Sequence, residues 1–417
     1  MHEIPDPRSG RRKKHDDAAE ILTCIIIGYL TGHTTLRRCY RYCVRQRKVL
    51  RKYMKLENGI ASVATMSRLL SAVDEELFTY VFMEWIGELV NTKGRHLAID
   101  GKALRGGASR VQAGITPMLL NAVDAETGIV LSQMPIQSKE NEILRIPVFL
   151  KLLDIRKSII TIDAIGTQTE IMEQIVGQGG HFVLLVKNNQ PNSRKEIVNM
   201  LELLEAEKEK KEKDQRYKSV YEDFISKYDR EYTTESNRDR YEYRDYRICN
   251  KKECVSKTAK EWPFIKSAGY IKQIRILKIK DQNDTDITPD PDDFIRNGTC
   301  RQPKPKKGDD EKSDIQIVGV VSDMEMTAAE MGRIRRRHWA IENKLHHVLD
   351  DTFREDRSPA KKSRNNLALI RKFAYNLLRI SMLREYPKVP MTEVMDIFSD
   401  NLELLGKYIF SSIPPLV

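Results

Sequence analysis

The sequence predicts an α/β protein preceded by a helical N-terminal region. Two observations carry this. Residues 1 to about 92 hold apolar side chains at spacings of three and four, as amphipathic helices do. From His96 onward, short β-branched runs alternate with helical stretches, the order of strands and covering helices.

The N-terminal elements follow in turn. Residues 18–30 form an apolar helix stopped by Gly32. The stretch 37–55 carries nine Lys or Arg and no acid, interleaved with Tyr40, Tyr42 and Tyr53. Between 62 and 90, Val63, Met66, Leu69, Leu70, Val73 and Leu77 keep helical spacing, with Asp74 as cap for a second helix. A small DNA-binding domain with phosphates held by its basic helix has this composition. A helical bundle with one solvated basic face has it too.

In the α/β part, residues 97–100 form a strand, and strands 118–123 and 129–134 form a hairpin whose turn contains Gly128. A helix over 142–153, a buried strand over 158–162, a helix over 169–176 and a strand over 181–186 come next. A charged helix covers 196–212 and strands cover 241–248 and 271–279. Residues 281–313, rich in Asp, Lys and Pro, read as a mobile loop. The last core helix starts at Thr327-Ala-Ala-Glu330, which fits a capping box. Along it Ile334, Ile341, Leu345 and Val348 make a core-facing stripe. Arg335, His338, Glu342 and His346 share a neighbouring polar face by their spacing. Helical spacing returns from Asn366 to Leu383.

Composition narrows the function. A net charge of +11 points to a polyanionic partner, although an inert basic surface would give the same number. The six cysteines show no zinc spacing and read as free thiols in a reducing cytoplasm. Arg11-Arg-Lys-Lys14 before the apolar run 21–30 imitates a signal peptide, but Asp16, Asp17 and Glu20 interrupt it. That run is also too short to cross a bilayer. A cytoplasmic protein with no membrane partner is expected.

Three acids stand in distinctive settings: Asp100 and Asp163 at the ends of β-branched strands, and Glu342 on the basic helix. Hard carboxylate oxygens suit Mg²⁺ or Mn²⁺, and two such ions can serve an in-line phosphodiester displacement. His338, Glu342 and His346 at four-residue spacing also suggest a helical zinc site, but the arrangement is not His-Glu-x-x-His. For each aspartate a turn or cap role is the plain alternative, and for Glu342 a surface ion pair.

The settings themselves resemble the Asp-Asp-Glu transposases of bacterial insertion sequences, in the H-repeat-associated group. The resemblance runs from Ile4-Pro-Asp-Pro-Arg8 through Ala98-Ile-Asp-Gly-Lys-Ala-Leu-Arg105, Lys139-Glu-Asn-Glu142, Thr161-Ile-Asp-Ala-Ile-Gly-Thr-Gln168 and Leu185-Val-Lys-Asn-Asn-Gln-Pro191 to Arg337-His-Trp-Ala-Ile-Glu-Asn-Lys-Leu-His346 and Leu349-Asp-Asp-Thr-Phe-Arg-Glu-Asp356. It implies an RNase H-like mixed sheet in which the first strand is central and the fourth lies beside it. It also implies an insertion before the glutamate-bearing helix. The organisation expected is 1–92 as a helical DNA-binding or associated domain, 93–190 as the first part of the catalytic core, 191–314 as the insertion, and 315–417 as the second part with C-terminal helices.

The resemblance implies a DNA transposase that cuts at the ends of its element and joins the freed 3′-hydroxyl to target DNA. Asp100, Asp163 and Glu342 would be both catalytic and metal-holding, with two Mg²⁺ that Mn²⁺ can replace. Lys102, Arg105, Lys187, Asn189, Arg336, Arg337, Asn343 and Lys344 are candidate contacts to double-stranded DNA, both inverted repeats and target. Trp339 stacks on a base or packs in the core. A homodimer or larger assembly on DNA is expected. The rival readings are a non-mobile nuclease with the same site and a catalytically impaired repressor that occupies element ends.

Overall fold

Side-chain caps start the N-terminal helices where the sequence places them. Asp17 accepts from Ala19 and Glu20 to open Ala18–Leu30, Ser62 accepts from Thr65 to open Val63–Ala72, and Asp74 accepts from Leu77 to open Glu75–Leu89. Leu36–Arg45 and Arg47–Leu50 carry the basic stretch. The computed structural model describes residues 4–8, 17–105, 117–136, 142–237, 240–277, 279–280, 286–287, 315–411 and 413–415. It divides into two compact units, Met1–Ser158 with Arg337–Val417, and Ile159–Arg336.

In the first unit, helix Ala18–Leu30 is buried on nearly every side, between Leu36–Arg45 and the long helix Arg364–Arg384. Strands β1 (His96–Ala103), β2 (Met118–Asp124) and β3 (Val130–Ile136) form an antiparallel meander in the order β3-β2-β1. The β2–β3 turn contains Gly128 at φ 79°, as the hairpin reading required. Helix Arg364–Arg384 is pinned to β3 by buried polar groups as well as by packing. Asn376 accepts from Val130 N–H at 2.9 Å and donates to Val130 C=O at 2.8 Å, and Lys372 donates to Gln133 at 2.6 Å. Phe373 of the same helix packs against Phe78, Phe82 and Trp85. Helix Glu142–Leu150 follows the meander.

The second unit is built on β4 (Ile159–Ile162), β5 (His181–Val186), β6 (Tyr228–Ser236), β7 (Arg240–Cys249), β8 (Ser267–Leu277), β9 (Ile279–Lys280), β10 (Asp286–Ile287) and β11 (Ile315–Ser322). Its main sheet runs β4-β5-β11-β8-β7-β6. β4 and β5 are parallel, with helix Thr169–Gly177 between them in sequence, and the other pairings are antiparallel. Val183, Leu185, Tyr246, Ile248, Ile271 and Val320 form its core with Met331 from the helix that follows. β9 and β10 make a separate two-stranded ribbon.

Some expectations shift. β6 was not foreseen, because Asp229, Arg230, Glu231 and Glu235 hide its strand pattern. Helices Met391–Asp400 and Leu402–Phe410 close the chain without having been predicted. The loop expected over 281–313 lies almost wholly outside the described residues, as does Cys300. The other five cysteines are free and buried. No helix among the described residues is long and apolar enough to cross a membrane.

The largest correction concerns the helix at Thr327. Its capping box forms, with Glu330 N–H donating to Thr327 Oγ1 at 3.1 Å and Thr327 N–H donating to Glu330 Oε2 at 2.9 Å. Yet the helix is not regular to Val348. It is α-helical over Ala328–Ile341, a π-turn over Glu342–His346, and α-helical again over His347–Asp351. A π-turn inserts an extra residue and breaks the i, i+4 stacking. Glu342 is therefore exposed, whereas His338 is buried and His346 is mostly covered. The single polar face expected to hold Arg335, His338, Glu342 and His346 does not form, since His338 is buried and Glu342 exposed.

Candidate active site

Asp100 sits within β1 rather than at its end, because the strand continues to Ala103. It pairs in register with the buried Asn121 of β2. Its Oδ1 accepts the N–H of Gly101 at 2.9 Å, and its Oδ2 stands 3.6 Å from His346 Nδ1. Burial, with Lys102 and Lys372 nearby, pushes His346 down to about 3. At that separation the imidazole neighbours the carboxylate without a hydrogen bond to it. Gly101 admits the buried Glu142: a Cβ there would lie 2.8 Å from Glu142 Oε1. Glu142 belongs to a quoted motif, but its approach to β1 had no sequence signal.

Lys102, a candidate DNA contact by sequence, is turned into the protein. Its side chain is buried, with Nζ 2.5 Å from Asp350 Oδ1 and 3.7 Å from Glu355 Oε2. Burial raises the Asp350 carboxyl while Lys102 pulls it down. Glu355 also lies 3.7 Å from Arg371. The cluster ties β1 to the segment after the π-turn. Arg105, one turn of chain further, is exposed, and its backbone N–H donates to Asp356 at 3.2 Å.

Asp163 directly follows β4 and precedes the 3-10 turn Ala164–Gly166. The cap reading fails, since its side chain makes no capping bond to that turn. Instead its Oδ1 accepts from Lys187 Nζ at 2.6 Å. The motif after β5 closes over the motif after β4. Asn189 Nδ2 donates to Ala164 C=O at 3.1 Å, Gln190 Nε2 to Thr167 C=O at 2.5 Å, and Thr167 Oγ1 to Leu185 C=O at 2.6 Å. Gly166 is required there because a Cβ would meet Ile162 Cγ2 at 2.5 Å. Lys187 and Asn189, expected on DNA, are thus engaged in shaping the aspartate loop.

Glu342 accepts the indole N–H of Trp339 at 2.8 Å, and Trp339 is 41% exposed. The indole is therefore not a core residue. Arg336 is exposed and pairs with Glu235, and Arg337 is exposed with Glu126 at 3.8 Å. Asn343 is exposed, and Lys344 is half-buried with Nζ donating to Glu126 C=O at 3.2 Å. Asp100 and Glu342 belong to the first unit and Asp163 to the second.

Among the described residues, no three His, Cys, Asp or Glu side chains cluster as a ready ion site. The donors nonetheless fit a hard divalent cation. They are carboxylates rather than thiols, and Asp163 already holds one cationic group, the Lys187 ammonium, at 2.6 Å.

Comparison with known proteins follows the same lines. The chain matches the family described as DDE_Tnp_1-associated over residues 1–86 and the Transposase DDE domain over residues 91–377. It is 29% identical over 379 residues to "Putative transposase YncI" of Escherichia coli O157:H7, covering 90% of this chain and 85% of that one. It is 25% identical over 380 residues to "H repeat-associated putative transposase YhhI" of Escherichia coli strain K12, covering 90% and 88%. Among solved structures it aligns with a piggyBac transposase synaptic complex with hairpin DNA at a TM-score of 0.38 and 12% identity, over 98% of this chain and 76% of that one.

Proposed function

The chain belongs to the DDE transposase family and is a DNA transposase, and on that premise we propose which residues carry its chemistry. Asp100, Asp163 and Glu342 are the acidic residues of the reaction and would hold two Mg²⁺, with Mn²⁺ able to substitute. Ions so held would neutralise the attacking and leaving oxygens of the phosphodiester. Lys187 keeps the Asp163 carboxylate in one orientation. The Trp339 indole fixes one oxygen of Glu342, which leaves the other to orient a water and take its proton. Arg105, Arg336, Arg337, Asn343 and Lys344 contact the DNA backbone, and Trp339 stacks on an unpaired base.

The protein cuts its element's inverted ends and joins the freed 3′-hydroxyl to target DNA, as a homodimer or larger assembly. An RNase H-like core with an insertion before the glutamate-bearing segment is part of the same reading. The observation that supports it is the single domain match over 91–377, a span within which Asp100, Asp163 and Glu342 all fall. Membership favours transposition over the nuclease and repressor readings.

The test is strand transfer. Purified protein with Mn²⁺, pre-cut element ends and a plasmid should give joined product, and Asp100→Asn, Asp163→Asn and Glu342→Gln should each give none while melting at the wild-type temperature. Joining by any one variant removes that residue from the set, and cutting without joining by the wild type restores the nuclease reading.

A further inference from the structure

We propose that a basic groove in the first unit, between the N-terminal helices and the segment 354–363, binds the phosphodiester backbone of DNA; this rests on the reading that the chain acts on DNA. The groove encloses about 660 Å³, within the range of about 300–1,000 Å³ typical of ligand sites. Its lining includes Arg38, Arg354, Arg357, Lys361, Lys362 and Arg371 and no Asp or Glu. Hydroxyls of Thr35, Ser67 and Ser358 stand among these cations. Guanidinium groups clamp phosphate oxygens in pairs and hydroxyls complete their hydrogen bonds.

Glu355, in the same segment, is buried and turned to Arg371 and Lys102 at 3.7 Å each. Arg371 forms the floor, with its guanidinium 5.4 Å from the centre of the Tyr29 ring. Arg354 is held in the left-handed region at φ 51°, a conformation that costs a non-glycine residue about 1 kcal/mol or more. A concave surface with this many cations focuses positive potential. No aromatic face lies open in it, since Tyr29 is buried under Arg371. Backbone contact without base reading is what such a lining supports. The sequence alone drew attention to 37–55, and only the fold joins Arg38 to the 354–363 segment.

The experiment measures affinity of the full chain for a fluorescent duplex of arbitrary sequence across a NaCl series. The groove variant is Arg38→Ala/Arg357→Ala/Lys362→Ala, and the control is Lys195→Ala/Lys213→Ala/Lys218→Ala; all six side chains are exposed. Each phosphate contact contributes about 0.9 to the log–log salt slope, so the groove variant should lose roughly 2 to 3 units and the control less than one. A groove variant with the wild-type slope overturns the groove alone. A control that loses as much also overturns it, by showing that charge anywhere suffices. A wild type that binds no duplex at any salt overturns both the groove and the DNA reading. In wild-type protein, bound duplex should also protect Lys361 and Lys362 from chemical acetylation, read by mass spectrometry. Equal labelling with and without DNA overturns the proposal whatever the variants do.

Discussion

Glu342 and Trp339 make the clearest case at the scale of residues. A Trp at the core would cost about 3–5 kcal/mol on truncation, but this indole is exposed and gives its N–H to the carboxylate. Trp339→Ala should therefore change folding free energy by less than about 1 kcal/mol and still reduce cutting at least tenfold. Trp339→Phe divides its two jobs, since phenylalanine can stack on a base but cannot orient Glu342; melting curves and a cleavage assay on one preparation read both. His96, at the start of β1, gives a pH signature. Burial first, then the charge of Arg337, lowers it from 6.5 to about 4. The unfolded chain takes up this proton at higher pH than the folded one, so the stability involved is complete above about 6.5 and is lost as pH falls toward 4. At about 1.4 kcal/mol per unit the full loss is about 3 kcal/mol. Urea midpoints between pH 7 and 4 should fall less steeply in His96→Leu than in wild type.

At the scale of elements, the caps, the Gly128 hairpin and the strands β4 and β5 were legible because local chemistry decides them. Asp74 and Thr327 cap whatever tertiary packing surrounds them. The π-turn at Glu342–His346 was not legible, since no residue type marks it and α-helical spacing assigned His338 and His346 to the wrong face. The role of Lys102 was hidden for a similar reason: its partners Asp350 and Glu355 are distant in sequence. Removing one partner of a buried charge cluster leaves the others uncompensated, at about 3–5 kcal/mol. Lys102→Met should thus lower stability by that amount while leaving the salt slope of DNA binding unchanged. A large slope change at normal stability would return Lys102 to the DNA surface. The lock of Lys187, Asn189 and Gln190 onto the Asp163 loop needed the fold.

Across the whole molecule, the N-terminal helices are not a detachable module. Ala18–Leu30 packs on Arg364–Arg384, and Phe78, Phe82 and Trp85 surround Phe373. Deleting residues 1–92 would uncover that apolar surface, so the truncated chain should elute as aggregate on size exclusion; a monodisperse, cooperatively melting product would show the two parts to be separable. The nine basic residues of 37–55 are all exposed, and neutralising them in place tests their part in DNA binding without this damage. The second unit holds a different kind of safeguard. β6 ends its sheet with Asp229, Arg230, Glu231 and Glu235 along the strand. A second copy extending the sheet there would have to strip water from those charges and set them against a foreign backbone. Those charges therefore work against joining two copies edge to edge through β6.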